Sequence, residues 1–203
     1  MNRILRHAYW RVEMKSISRL EWIVFFVLVA IGIGGRWAFE NVPNFTPTVG
    51  VAVFAGLYFN RISIAFLALL VVMVASNIWL DPYTNWGMLA FIFGAMAFPV
   101  LLSRGLSTRQ TETSARRQLR PLGMLACAIL PSVIFFIASN FAFWLWSGAY
   151  APDLTGLSRC FVNAIPFYKV SLCSNVIFVA AGLLAYELIG LLTREPQSVA
   201  IEP

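Results

Sequence analysis

The chain is 203 residues long, 60% hydrophobic and only 12% charged, against about 45–50% apolar and about 25% charged in a soluble domain. So little polar surface cannot clothe a water-facing globule, which excludes a soluble fold and makes a bilayer the expected solvent. The net charge of +6 does not point to nucleic acid, because nearly all the basic residues sit in short segments beside apolar runs, as in cytoplasmic loops of membrane proteins.

Residues 1–20 form a basic segment. Leu5, Ala8, Tyr9 and Val12 fall at helical spacing among Arg3, Arg6 and Arg11. That pattern suits an amphipathic helix on the cytoplasmic membrane surface or, equally, a disordered basic tail. The apolar run that follows is long enough to span and has no A-x-A cleavage site, so it is read as a membrane segment, not a signal peptide. It makes the first span, residues 22–39.

Residues 47–60, PTVGVAVFAGLYFN, are the ambiguous element. At about 1.5 Å per residue they reach about 21 Å, short of a hydrocarbon core about 30 Å thick, so they could form a re-entrant loop. Residues 62–80, 87–102, 122–146 and 166–192 are further spans near the roughly 20 residues a bilayer helix needs. Charge resolves the ambiguity. With 47–60 crossing there are six spans, both termini are cytoplasmic, and of the 15 Lys and Arg residues only Arg36, Arg159 and Lys169 lie outside. Without it, the loop 104–120 and its arginines would lie outside while the basic N-terminus stayed inside, against the positive-inside bias. Fold and organisation follow: an all-α polytopic bundle of six transmembrane helices over residues 21–192, with cytoplasmic segments 1–20 and 193–203.

Between the first two spans lies PNFTP, residues 43–47. Thr46 is placed to cap the second helix, with Pro47 at its first position, where the missing N–H costs nothing. Small residues recur four apart at Ala30, Gly34 and Ala38, at Ala90 and Gly94, and at Ala181 and Ala185, a spacing that lets helices approach closely within the bundle or against a partner subunit.

Polar side chains within spans are costly in lipid, and each is a functional candidate. Asn77, Asn140 and Asn175 each follow a serine and lie in the outer half or near the middle of their helices. Arg36 ends the first span and Lys169 opens the sixth. Asp81, Tyr83, Trp86, Trp144, Trp146 and Tyr150 share that outer layer. Each also has a plainer role: interhelical hydrogen bonding for the asparagines, interfacial anchoring for the aromatics, and pairing of Arg36 with Glu40 four residues on. Taken together they describe a polar cavity on the outer side. Asn140 and Trp144 share a helix face, one able to bond a solute edge while the other stacks. Arg36 and Lys169 favour a carboxylate or other anionic group.

No paired acids, no histidine beside a nucleophile and no glycine-rich phosphate loop accompany these residues, so a catalytic constellation is not expected. With His7 the sole histidine and Cys127, Cys160 and Cys173 scattered, neither a metal site, a cofactor nor a disulfide framework is expected.

The runs RWAFENVPNFTPTVGVAVFAGLYF (residues 36–59), SNFAFWL (139–145) and GLSRCFVNAIPF (156–167) resemble an uncharacterised bacterial membrane family assigned to transport and similar to the S-components of energy-coupling-factor (ECF) transporters. The resemblance covers about residues 20–192. It implies a substrate-binding subunit of the inner membrane that takes a small organic solute from the outer side, beneath the loop joining helices one and two, here residues 40–47. It further implies a transmembrane coupling protein with paired ATPases as partner. The expected site comprises Arg36, Glu40, Asn44, Asn77, Asn140, Trp144, Lys169 and Asn175. The alternative is a non-transporting structural or assembly subunit whose outer polar layer contacts another protein.

Overall fold

The computed structural model of the protein describes residues 18–78, 80, 85–109 and 117–192. The N-terminal amphipathic pattern, Asp81, Tyr83, the middle of the 104–120 loop and the tail 193–203 lie outside the described residues. Six helices follow in order: α1 (Arg19–Ala38), α2 (Thr48–Tyr58), α3 (Ile62–Asn77), α4 (Trp86–Leu106), α5 (Pro121–Trp146) and α6 (Leu154–Leu192). Between α4 and α5 an antiparallel hairpin pairs β1 (Ser107–Arg109) with β2 (Arg117–Leu119), where the sequence suggested only a basic loop. α1, α4, α5 and α6 are long and apolar enough to cross a membrane; α2 and α3 are shorter apolar helices.

Local chemistry sets several boundaries. α1 starts three residues earlier than its apolar run because Ser-Arg-Leu-Glu forms a capping box. Ser18 Oγ accepts from the Glu21 N–H (3.1 Å) and Glu21 Oε2 accepts from the Ser18 N–H (2.9 Å), so two otherwise orphaned donors are satisfied. Asn85 Oδ1 accepts from the Gly87 and Met88 N–H groups and opens α4. The sixth helix begins at Leu154, twelve residues before the expected start. It runs through Pro166 for 39 residues, about 58 Å at 1.5 Å each. The segment 154–163, expected as part of an outer loop, is therefore its first turns.

The short α2 is the centre of the molecule. Ten of its eleven residues are buried, as expected for a helix apolar on every side. It packs on α3, α4 and α6 and, less extensively, on α1, while α1–α3, α3–α4, α4–α5 and α5–α6 contacts complete an open ring around it. Glycine makes this closeness tolerable. A β-carbon at Gly50 would collide with the Phe178 carbonyl of α6, and one at Gly56 with Ser103 and the Val100 carbonyl of α4. The small residues singled out by fours behave differently. Gly34 and Gly94 have nothing within 4 Å of such a β-carbon, so these two do not mediate helix contact inside the bundle. Ala181 and Ala185 line an apolar groove of about 340 Å³ where α1 and α6 flank α2 without closing over it.

Helix directions alternate, α2 included. At one end Arg36 of α1 meets Asn77 of α3, and Gly87 of α4 lies against Trp146 of α5. At the other, Arg104 donates to the carbonyls of Phe59 (2.7 Å) and Asn60, which supplies partners for carbonyls at the C-terminal end of α2. Tyr186 Oη there accepts from the Arg117 N–H (2.9 Å) and donates to its carbonyl (2.8 Å), which fastens the hairpin to α6.

Candidate functional site

The α1–α2 connection folds as a built element. Val42, Pro43, Asn44 and Phe45 form a turn closed by the Phe45 N–H on the Val42 carbonyl (3.1 Å). Pro43 presets φ at the second position and Asn44, at the third, takes φ +63°, the combination of a type II turn. Beyond it, Thr46 Oγ1 accepts from the Thr48 N–H (3.3 Å) and bonds the Thr48 hydroxyl (2.7 Å). Pro47 occupies the helix N-cap, φ −74° and ψ −1°. The N-cap is therefore Pro47, not Thr46 as expected, and α2 begins one residue later; Thr46, just before the cap, satisfies only the Thr48 N–H.

The loop is bound to α6. Ser174 Oγ accepts from the Thr46 N–H (2.8 Å) and donates to the Thr46 carbonyl (3.0 Å). Phe45 stands edge-on between Phe39 (ring centroids 4.9 Å) and Phe178 (5.5 Å).

Under this loop is a cavity of about 190 Å³ to which all six helices contribute. Its roof is Phe39, Glu40, Val42, Pro43, Asn44, Phe45 and Thr46. Arg36 (α1), Val49 (α2), Met73 (α3), Leu80 just beyond α3, Ile92 and Met96 (α4), Phe135 (α5), and Ser171 and Asn175 (α6) form the rest. The chemistry is mixed: one guanidinium, one carboxylate, amides and two hydroxyls over a floor of methionine and aliphatic groups. Such a surface can orient a small molecule with a polar end and an apolar body.

Of the expected site residues, Arg36, Glu40, Asn44 and Asn175 line this cavity. Asn77 does not; its Oδ1 accepts from Arg36 Nη2 (3.1 Å), while Met73 Sδ lies 3.9 Å from Nη1. Asn77 therefore acts on the cavity by holding Arg36. Asn175 is 2% exposed and donates through Nδ2 to Ser132 Oγ of α5 (2.7 Å). Asn140 lines a second, smaller chamber of about 70 Å³, its Nδ2 donating to the Phe136 carbonyl (2.7 Å).

Trp144 and Lys169 are placed differently from expectation. The Trp144 indole N–H donates to the Ala151 carbonyl (2.9 Å) across the α5–α6 connection, and Trp144 lines neither chamber. The shared helix face with Asn140 is real, but the nearby loop carbonyl claims the indole. Lys169 is exposed on α6 and lines neither chamber. Several contributors were not anticipated, Ser171 and Phe135 among them. Ser171 had a legible signal, lying four residues before Asn175 and so on the same helix face. Phe135 had none, because nothing in an apolar run marks which phenylalanine faces a cavity.

Fold and site together define an all-helical protein of membrane type with a mixed polar and apolar cavity under an ordered loop. The chain belongs to a family of unknown function (DUF6580), whose model matches residues 16–198. No curated protein and no solved structure matches it.

Proposed function

We propose that this chain is a substrate-binding membrane subunit, similar to the S-components of ECF transporters, that captures a small organic solute from the outer side of the bacterial inner membrane. The roofed cavity supports this reading. A connection that merely joined two helices would not need a turn preset by Pro43 and Asn44, a double hydrogen bond to Ser174 and an aromatic clamp, all above a space of about 190 Å³. Arg36 at the wall favours an anionic group, with Glu40 at the rim able to select against a second negative charge. Lys169 contributes only long-range potential.

Six membrane crossings fit the alternating helix directions. α2 need not match the bilayer thickness, because it is enclosed by protein and not by lipid. The charge distribution favours both termini and the hairpin end in the cytoplasm and the cavity end outside. The chain is a binder and not an enzyme, and it requires no cofactor. It has no nucleotide-binding motif, so energised uptake would depend on a coupling protein with ATPases.

One observation favours the alternative, a structural or assembly subunit. The groove between α1 and α6 is lined almost wholly by apolar side chains, a surface on which a helix of another membrane protein could pack. Native mass spectrometry of the gently purified protein separates the two. Retention of a small molecule is the expected result; a protein subunit retained without any small molecule would replace the transport reading with the structural one.

A further inference from the structure

The space under the loop continues past Phe135. The smaller chamber shares Asn44, Phe135 and Ser171 with the main cavity, so these three residues form a neck between them. The polar groups around the neck are otherwise engaged. Ser139 Oγ donates to the Phe135 carbonyl (2.6 Å), Asn140 Nδ2 to the Phe136 carbonyl, and Asn175 Nδ2 to Ser132. Ser171 and Asn44 are exceptions. Ser171 is 6% exposed, and among the described residues neither its hydroxyl nor the Asn44 side chain makes a hydrogen bond. The Ser171 hydroxyl lines both chambers without a partner among those residues, so a solute group at the neck can bond it.

The chambers also differ in charge. Arg36 and Glu40 line only the larger one, whereas the smaller is lined by neutral side chains, including Ser139, Asn140 and Tyr168. A charged group entering it would lose hydration with no counter-charge to meet. Its volume of about 70 Å³, against about 30 Å³ for a water in the liquid, admits an arm of about two or three non-hydrogen atoms.

We propose that the two chambers are one bent site for an elongated solute. Its body lies beneath the loop, and a short neutral hydrogen-bonding arm, a hydroxyl or a carboxamide, is held at the neck by Ser171 and Asn44. This rests on the roofed cavity being a solute site.

The test uses the full chain purified in mild detergent from the cells that express it. The probe is the small-molecule fraction that leaves with the protein, released by denaturation, identified by mass and re-added to the emptied protein for affinity. Four variants are compared: Ser171→Ala, Ser171→Thr, Asn44→Gly, which keeps the left-handed turn while removing the amide, and Met96→Trp, which fills the main chamber. Melting temperature reports whether each is folded. The expected result is a retained molecule with a neutral hydroxyl or carboxamide. Its affinity should fall roughly five- to a hundredfold in Ser171→Ala and in Asn44→Gly, recover in Ser171→Thr, and vanish in Met96→Trp. If Met96→Trp empties the site while Ser171→Ala and Asn44→Gly bind as the wild type does, or if the molecule has no such arm, the neck is not a subsite and the cavity reading stands. If the wild type retains nothing, or folded Met96→Trp retains all of it, both fall.

Discussion

Ser174 of α6 and Thr46 of the α1–α2 loop exchange two hydrogen bonds, Thr46 N–H to Ser174 Oγ at 2.8 Å and Ser174 Oγ to the Thr46 carbonyl at 3.0 Å. Through this pair a side chain from the middle of the last helix satisfies both backbone groups of a loop residue 128 positions earlier. The loop is fixed over the cavity because its backbone has no better partner.

Ser174→Ala should therefore release the roof. Two part-buried backbone groups lose their partner, a cost of about 1–3 kcal/mol, while the aromatic clamp of Phe39, Phe45 and Phe178 remains. Reversible unfolding in detergent should show that loss, and hydrogen exchange should rise at Phe45 and Thr46 ahead of the helices. Unchanged exchange there would mean the aromatic clamp holds the loop without the serine.

The turn at Asn44 predicts opposite outcomes for two substitutions. Asn44→Gly accepts φ +63° without strain, so stability should hold. Asn44→Val places a β-branched residue in the left-handed region, where an L-residue loses roughly 1–2 kcal/mol or more. Equal melting temperatures for the two variants would show that the turn relaxes freely.

The three membrane asparagines should separate by role. Asn77→Ala removes a hydrogen bond to a guanidinium, of a kind contributing about 1.5–3 kcal/mol. Asn175→Ala removes an interhelical bond to Ser132, averaging about 0.6 kcal/mol in membrane bundles. Both should lower baseline stability, Asn77→Ala more. The Asn140 side chain bonds only within its own helix, while its carbonyl, which accepts from Cys160, survives substitution, so Asn140→Ala should leave the baseline near wild type and weaken retention of the co-purified solute. Melting curves with and without that solute distinguish these effects.

Topology can be read by labelling. Ser107 is nearly buried in β1, whereas Thr108 beside it and Thr155 at the start of α6 are exposed. In a background with Cys127, Cys160 and Cys173 replaced, a single Thr108→Cys should react with an impermeant thiol reagent only after membranes are opened. Thr155→Cys should react in intact cells. Labelling of Thr108→Cys from outside would invert the orientation.

Several features were legible before any coordinates. Composition pointed to a membrane-type chain, and apolar runs near the roughly 20 residues a bilayer helix needs pointed to helices, which satisfy their own backbone polar groups in lipid. The special character of PNFTP was equally plain, since Pro43 and Asn44 act on the backbone of their own residues and need no partner to do so. Polarity marked Arg36, Asn77 and Asn175 as interior groups.

Other features were decided by tertiary structure, and the reason is physical. A lipid tail is as apolar as a leucine side chain, so a stretch such as VGVAVFAGL reads the same whether it faces bilayer or protein. Only packing made α2 the enclosed centre, and only packing left Gly34 and Gly94 bare while pressing Gly50 and Gly56 against neighbouring carbonyls. Trp144 shares a helix face with Asn140, yet its indole belongs to the Ala151 carbonyl, a partner set by how the α5–α6 connection bends back. Ser171 stands out from many serines only because the folded chain sets it between two chambers, with no hydrogen-bond partner among the described residues.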